Sequence, residues 1–271
     1  MPRLPLDPRA VLGVVKEVRA EAAGTGSLVI AGAPAPSREL AARLGEGGDG
    51  ALRDLGGRRL GVDDLAGAAA HLFCIERVPV QEDEKALRAA ARARVPVVCV
   101  LVGAGTSVPR VPYVYATDVV PTGAGGLLPL ERVTARLAAM LGARGPAVAA
   151  HLPVLRGPIC ADIVRRASRQ SGLVGAAVFV PGADFPVLAR NQARMLLRLA
   201  VAHGLELDRE RAVELAVALG AGLGVRAFAR EASVLLPGPG WAYKGLLAYS
   251  GTRAIGEAAI AWFGGSVRSG S

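Results

Sequence analysis

The chain contains few cysteines, histidines and aromatic residues. Its 271 residues include three cysteines, three histidines and only 4% Phe, Trp and Tyr. Because the cysteines are not closely paired and no signal-peptide pattern opens the chain, we exclude a disulfide framework and expect a reducing, cytoplasmic setting. The histidines show no metal-ligand spacing with one another or with the cysteines, so we predict no metal site.

Lysine is also scarce, and arginine supplies most of the basic charge. The chain has 32 basic and 23 acidic side chains, which gives a formal net charge of +9. A basic balance is typical of nucleic-acid binding, but here no long basic run is interleaved with aromatic residues, so we expect no nucleic-acid partner. Because 52% of the residues are apolar and 20% are charged, intrinsic disorder and a plain membrane-spanning bundle are both excluded.

Hydrophobic patterning predicts an α/β domain in the first part of the chain. Valines at helical spacing between Arg9 and Glu21 predict a short helix, which we assign to residues 1–21. Continuous apolar runs then alternate with helical stretches, as in a parallel sheet covered on both faces, and we assign this domain to residues 22–143. Its expected strands are Ser27–Gly32, His71–Ile75, Val95–Leu101 and Tyr113–Ala116, and its expected helices are Ser37–Leu44, Glu82–Arg94 and Leu128–Leu141.

The later part of the chain shows only helical periodicity. We assign residues 144–155, which contain a Gly-Pro break, to a linker. Residues 156–264 are predicted as an all-α domain and residues 265–271 as a disordered tail. The expected helices are Gly157–Gln170, Phe185–His203, Asp208–Ala229 and Trp241–Phe263.

The segment from Gly32 to Glu39 follows the first predicted strand, where a phosphate-binding loop (P-loop) would lie. Such a loop needs glycines around the phosphates, a lysine for the terminal phosphates and a hydroxyl for magnesium. Here Ser37, Arg38 and Glu39 replace the second glycine, the lysine and the hydroxyl. We therefore predict Gly32, Ser37 and Arg38 as a vestigial phosphate loop. GTP is disfavoured as a cofactor because the Glu39 carboxylate would repel phosphate.

The order of these predicted elements resembles a small GTPase of the Era-like, translation-factor-related class. In that class the strand at Val97–Leu101 leads into an Asn-Lys-x-Asp segment that binds guanine. This chain has Val102-Gly103-Ala104-Gly105 instead, and Tyr115-Ala116-Thr117 only loosely matches the base-binding loop. The resemblance implies a degenerate GTPase-like domain. The other interpretation that the residues leave open is an ordinary turn at Gly32 in an unrelated α/β domain.

A second resemblance rests on short strings in the predicted helical domain. These strings contain Pro181, Gly182 and Asp184, then Gln192 and Met195, then Gly251, Thr252 and Gly256. Together they resemble the uncharacterised helical domain that follows many bacterial Era-like GTPases and is related to YcjF-type inner-membrane proteins. The resemblance implies a bacterial protein, and it carries no known reaction with it.

Elementary chemistry favours structural roles for these motif residues. Asp184 is placed to cap the helix that follows it, and Gln192 is expected as a buried hydrogen-bond anchor rather than a ligand contact. Met195 is expected in the core. Thr252 and Gly256 belong to a small-residue stripe that allows helices to approach closely. Because no nucleophile elbow or acid–base pair occurs in the chain, we predict no catalytic residue.

The stretch Trp241–Phe263 bears on membrane association. It has the length of a membrane-spanning helix, but Lys244, Arg253 and Glu257 would be costly to bury in lipid, so we expect no plain span. We expect instead that the helical domain docks on the inner face of the cell membrane or on a helical partner protein.

The sequence thus predicts a non-catalytic scaffold or regulatory protein related to GTPases. Two alternatives stay open. The first is a nucleotide-binding regulatory protein with an atypical phosphate loop, and the second is a soluble oligomerising adaptor. A homo-oligomer is compatible with each of them.

Overall fold

The chain folds into two units. The α/β unit comprises Gly24–Ile159, and the helical unit comprises Met1–Ala23 together with Cys160–Ser271. The predicted fold class, an α/β part with a parallel sheet followed by an all-α part, is confirmed. The structure, a computed structural model, describes residues 8–24, 26–58, 60–76, 78–103, 109–122, 127–177, 185–205, 207 and 240–269.

The described residues form eight α-helices and five strands. In chain order they are α1 Pro8–Ala23, β1 Ser27–Gly32, α2 Pro34–Leu44, β2 Leu52–Asp54, β3 Ala68–Ile75, α3 Gln81–Arg92, β4 Val97–Leu101, β5 Val119–Pro121, α4 Leu130–Leu141, α5 Gly145–His151, α6 Pro153–Ala177, α7 Phe185–Ala202 and α8 Gly240–Ser269. Most of the predicted strands and helices lie within one to three residues of these bounds.

The five strands form one parallel sheet in the α/β unit. All eight residues of β3 are buried, as are all five of β4. Apolar runs of this kind, without alternation of polar residues, form strands that are covered on both faces. β3 pairs with β1 on one side and with β4 on the other, and His71 stands opposite Val29 and Val97. His71 therefore lies at the centre of the sheet, where it is fully buried.

The order of the strands across the sheet is β2-β1-β3-β4-β5. This is the flavodoxin-like order of doubly wound sheets. From β1 the chain runs outward to β2 and then returns past β1 to β3, so the direction of winding reverses between β1 and β3. In such sheets a crevice opens at the carboxyl ends of the two strands on either side of the reversal, and ligands bind there. The order therefore predicts a ligand-binding crevice beside Gly32 and Ile75.

Helix α3 covers one face of the sheet. Its N-terminus is fixed by the carboxylate of Asp83, which accepts a hydrogen bond of 2.9 Å from the backbone amide of Val80. Its buried side chains recur at helical spacing and belong to the same apolar cluster as Phe73 and Ile75: Ala86, Leu87, Ala89 and Ala90. The helix thus places its first turn near the carboxyl end of β3.

The last strand is displaced from its predicted position. The sequence predicted a strand over Tyr113–Ala116, but β5 is Val119–Pro121. Tyr113 has a φ of +64°, outside the region of extended strands, and Tyr115 is exposed. The prediction relied on the general preference of aromatic residues for strands. The turn geometry at Tyr113 overrides that preference, so the strand lies several residues further along the chain.

The predicted linker over residues 144–155 is helical instead. α5 begins at Gly145 and α6 begins at Pro153, so almost no irregular chain separates them. Pro146 lies in the first turn of α5, where its missing N–H removes no helical hydrogen bond, and it is buried. The Gly-Pro pair therefore starts a helix, and the α/β unit extends to Ile159.

The helical unit brings the first helix of the chain together with later ones. The predicted N-terminal helix is present as α1, which packs on α7, and its Val14, Val15 and Val18 are buried. α8 extends beyond the helix predicted at Trp241–Phe263. Residues 265–269 are therefore helical rather than a disordered tail, whereas residues 270–271 and the predicted helix 208–229 lie outside the described residues.

Candidate functional site

The connection between β1 and α2 is a tight turn. β1 ends at Gly32 and α2 begins at Pro34, so only Ala33 separates the two elements. Gly32 has a φ of +100°, and a Cβ atom on it would lie 2.1 Å from the carbonyl oxygen of Cys74. That carbonyl accepts a hydrogen bond of 2.8 Å from the amide of Ala33. Only glycine fits this position, and the turn is too short to wrap backbone amides around a phosphate.

The other two residues of the predicted phosphate loop lie within α2. Ser37 is fully buried, and its hydroxyl oxygen has no hydrogen-bond partner. Burial raises the pKa of the Cys74 thiol to about 12. Arg38 is exposed and donates from Nε to the carbonyl oxygen of Pro34 at 3.2 Å. Gly32, Ser37 and Arg38 therefore do not converge on one ligand position.

A cleft of about 590 Å³ opens beside Gly32, at the carboxyl ends of β1 and β3. We call it the β1–β3 cleft. Its apolar lining includes Leu60, Phe73 and Ala86. Ligand sites of small molecules have volumes of roughly 300–1,000 Å³. The cleft thus lies where the strand order predicts a ligand site and has the size of one.

Charged side chains of both signs line the same cleft. Asp83 lines the cleft with a buried carboxylate that accepts a hydrogen bond from the amide of Val80. Glu76 and Glu82 contribute further carboxylates, and Arg58 and Lys85 contribute cations. These last four side chains are exposed. Among the described residues, none of the four takes part in an ion pair within 4 Å. Their charges are therefore available to a ligand.

The first turn of α3 makes the cleft a poor site for phosphate. Glu82, Asp83 and Glu84 all lie in this turn. A helix N-terminus attracts anions through its free amides and its positive dipole end, but three carboxylates offset that attraction. Phosphate binding, as in a nucleotide, is disfavoured.

The described lining of the cleft lacks several of the side chains that enzymes commonly use as nucleophiles or bases. It has no serine, threonine, cysteine, histidine or tyrosine, so no activated hydroxyl, thiol or imidazole faces the space. Among the described residues of the whole chain, no group of three or more His, Cys, Asp or Glu side chains is placed to hold a metal ion. The ionisable groups that the lining does offer are carboxylates, a guanidinium and an amine.

Four of the family-motif residues meet in the helical unit. Gln192 donates from Nε2 to Oγ1 of Thr252 at 3.1 Å, and both side chains are fully buried. A Cβ atom on Gly256 would lie 2.5 Å from Cγ2 of Val164 and 3.2 Å from Sδ of Met195. These residues let α8 approach α6 and α7 closely. The expected anchor role of Gln192 and core position of Met195 are confirmed.

The remaining motif residues do not join this cluster. Gly251 is half-buried on α8. Pro181, Gly182 and Asp184 lie outside the described residues, so the predicted cap at Asp184 stays a prediction.

Two glycines that the sequence did not single out support the same packing. A Cβ atom on Gly175 of α6 would lie 2.8 Å from Cβ of Ala248, and one on Gly245 would lie 3.0 Å from the carbonyl oxygen of Gly172. The Gly172-x-x-Gly175 spacing, which places two glycines on one face of α6, is a signal that could have identified Gly175.

Ion pairs between α1 and α7 were also missed. Glu21 accepts two hydrogen bonds from Arg198, at 2.7 and 2.9 Å, and Glu17 pairs with Arg194 and Arg190. The hydrogen bond from Arg194 is the main reason that the pKa of Glu17 is lowered. Local sequence patterns cannot predict these ion pairs, because the paired residues are more than 170 residues apart in the chain.

Comparisons with known proteins add no relative to this picture. No family model, no curated protein and no solved structure matches the chain. The resemblances to Era-like GTPases and to their helical companion domain therefore stay predictions. Within the part of the chain that the structure describes, no helix is both long enough and apolar enough to cross a bilayer.

Proposed function

We propose that this chain is a non-catalytic regulatory protein. Its α/β unit binds a small molecule in the β1–β3 cleft without transforming it, and its helical unit docks on a membrane surface. The observation that carries the proposal is the cleft itself: it lies at the winding reversal of the sheet, and its described lining is charged and apolar but has no hydroxyl, thiol or imidazole.

The geometry of the β1–α2 turn supports binding without nucleotide turnover. Gly32 is fixed against the Cys74 carbonyl, the Ser37 hydroxyl is buried, and the Arg38 guanidinium bonds to its own helix. None of these groups is placed to bind a triphosphate or its magnesium ion. This favours a non-catalytic protein over a GTPase with an atypical phosphate loop.

The ligand-binding part of the proposal is tested by thermal unfolding of the full chain. The panel holds amino acids, amines, carboxylates, sugars, inorganic phosphate and nucleotides with magnesium. Because a ligand of the native state must stabilise it, at least one class of small molecule is expected to raise the melting temperature in a concentration-dependent way. A melting temperature that stays unchanged across the whole panel would contradict ligand binding.

Exposed apolar side chains support a docking role for the helical unit. Leu173 on α6 is 72% exposed, and Leu246 and Trp262 on α8 are 62% and 63% exposed. Basic residues outnumber acidic ones in the helical half of the sequence. Membrane docking accounts for the exposed apolar side chains, because leucine and tryptophan side chains enter the lipid interface. It also accounts for the excess of basic residues, because they are attracted to anionic headgroups.

Flotation of the full chain with liposomes tests the docking. We expect the protein to float with anionic liposomes, to float less with neutral ones, and to be released only partly by salt. Trp262→Ser should lower the membrane partition coefficient about tenfold and should therefore lower the bound fraction. Leu127→Ser, which removes a side chain 74% exposed on the α/β unit, is the matched control and should leave flotation unchanged.

Failure to float with either lipid would exclude membrane docking and leave a helical protein as the partner. Equal loss of flotation in Trp262→Ser and Leu127→Ser would also count against the proposal, because it would place the contact outside the helical unit.

A further inference from the structure

The β1–β3 cleft presents positive and negative side chains to the same space. Besides Asp83, whose buried carboxylate bonds to the amide of Val80, Glu76 and Glu82 carry the negative charges, and Arg58 and Lys85 carry the positive ones. Although the two signs lie along one cleft, these four side chains form no ion pair with any described residue. A ligand that carries both charges would satisfy groups of both signs at once.

A ligand with charge of one sign only fits the cleft less well. An anion would meet Glu76 and Glu82 together with the acidic first turn of α3. A simple cation would meet Arg58 and Lys85. Like charges at a binding site repel, and the repulsion selects against the wrong ligand as effectively as attraction selects for the right one.

The uncharged lining adds an apolar requirement. Leu60, Phe73 and Ala86 line the cleft, and Phe73 and Ala86 are buried within the core of the α/β unit. An apolar group of a ligand would gain free energy by leaving water against these side chains. The volume of about 590 Å³ is sufficient for an amino acid or a short peptide.

We propose that the β1–β3 cleft binds a zwitterionic, amino-acid-like molecule with an apolar side chain. Its ammonium group pairs with Glu76 and Glu82, its carboxylate pairs with Arg58 and Lys85, and its apolar side chain contacts Phe73. This inference rests on the proposed function, since it names the class of small molecule that the α/β unit binds.

The test compares L-leucine with two molecules that each lack one of its charges. 3-Methylbutylamine has the amine and the apolar chain but no carboxylate, and 4-methylpentanoate has the carboxylate but no amine. Each is titrated into the full chain by calorimetry, with inorganic phosphate as a fourth probe. L-leucine is expected to bind about tenfold more tightly than either half-molecule, and phosphate is expected not to bind.

Charge-removing variants assign each interaction to its residue. Glu76→Gln should weaken binding of L-leucine and 3-methylbutylamine and leave the affinity for 4-methylpentanoate unchanged. Lys85→Met should weaken binding of L-leucine and 4-methylpentanoate and leave the affinity for 3-methylbutylamine unchanged. Glu84→Gln is the control, because Glu84 lies in the same helical turn but pairs with Arg88 and does not line the cleft. It should leave all three affinities unchanged.

The possible failures are distinguishable. Binding of a different class, such as phosphate or a nucleotide, or equal affinity for L-leucine and a half-molecule, would overturn the zwitterion inference while ligand binding stands. Binding of L-leucine that neither Glu76→Gln nor Lys85→Met affects would overturn it as well. If no probe binds and the wider panel also leaves the melting temperature unchanged, the proposed ligand-binding function itself fails.

Discussion

Gly32 shows at the scale of one residue how tightly the β1–α2 turn is packed. Its positive φ and its contact with the Cys74 carbonyl leave no room for a side chain. The sequence singled out this glycine and left two interpretations open, a vestigial phosphate loop and an ordinary turn. A glycine that curls around a phosphate and a glycine that packs against a neighbouring strand look alike in sequence, because both need the left-handed region or a close backbone approach.

Gly32→Ala should destabilise the protein strongly. We expect the free energy of unfolding to fall by about 2–4 kcal/mol, because the new Cβ atom clashes with backbone as well as straining φ. Gly50→Ala is the control: Gly50 has a φ of +88°, but nothing lies within 4 Å of the position that its Cβ would take, so we expect a loss of about 1 kcal/mol. Urea unfolding measures both. Equal losses would show that the Cys74 contact is unimportant.

His71 makes the stability of the α/β unit depend on pH. It is fully buried, neither ring nitrogen has a hydrogen-bond partner, and burial lowers its pKa from 6.5 to about 4. Above pH 6.5 the ring is neutral in both states. As the pH falls from 6.5 to 4, only the unfolded chain binds a proton, so the free energy of unfolding decreases by up to about 3 kcal/mol.

His71→Leu should remove this part of the pH dependence. Between about pH 7 and pH 4.5 the variant is expected to lose about 2–3 kcal/mol less unfolding free energy than the parent chain, as measured by urea denaturation. Carboxylates elsewhere titrate in both proteins and cancel in the difference. Parallel pH profiles for the two proteins would show that His71 is not protected from protonation in the folded state.

At the scale of elements, the strands and helices show what hydrophobic patterning can and cannot predict. The sequence predicted β1, β3 and β4 correctly, because short uninterrupted apolar runs are typical of strands that are buried on both faces. The sequence predicted a linker where α5 lies, because a Gly-Pro pair occurs both in loops and at helix starts. The association of α1 with α7 was not predictable, since its ion pairs join residues far apart in sequence.

The pair between Glu21 and Arg198 should stabilise the docking of α1 on α7. Its side chains are only 20% and 25% exposed, and two hydrogen bonds join them. Glu21→Gln is expected to cost about 1–2 kcal/mol of unfolding free energy. Glu257→Gln breaks the pair with Arg253, both 58% exposed, and should cost much less because solvent screens the pair. Chemical denaturation measures the loss of unfolding free energy in both variants. A larger loss in Glu257→Gln than in Glu21→Gln would contradict this prediction.

Two glycines of α8 should respond in opposite directions to the same substitution. Gly256→Ala places a methyl group 2.5 Å from Val164 and should destabilise the helical unit by about 1–3 kcal/mol. Gly264→Ala meets nothing within 4 Å and should stabilise it by about 0.5–1 kcal/mol through helix propensity. Thermal unfolding followed by circular dichroism measures both. A stabilising Gly256→Ala would show that α8 is not closely packed there.

The whole molecule has a helical unit that is discontinuous in sequence. Its first helix precedes the α/β unit and its remaining helices follow it. A fragment that starts near residue 150 would therefore lack α1 and expose the buried side of α7. The sequence predicted an all-α domain in the second half of the chain, but no local signal showed that residues from the first half complete it.

The whole chain also joins its two proposed activities. The α/β unit offers a cleft for a small molecule, and the helical unit offers exposed apolar side chains for docking. A regulatory protein needs both a ligand site and a site of action. The proposed regulatory role depends on the absence of turnover at the β1–α2 turn, where an active GTPase would hold a nucleotide.

The most direct test of this central claim is phosphate release from GTP by the purified full chain in the presence of magnesium. We predict release indistinguishable from buffer, with Arg38→Ala behaving like the parent chain, because the Arg38 side chain bonds to its own helix at Pro34. Magnesium-dependent release that Arg38→Ala abolishes would contradict the claim, since it would show a working phosphate site at the turn between β1 and α2.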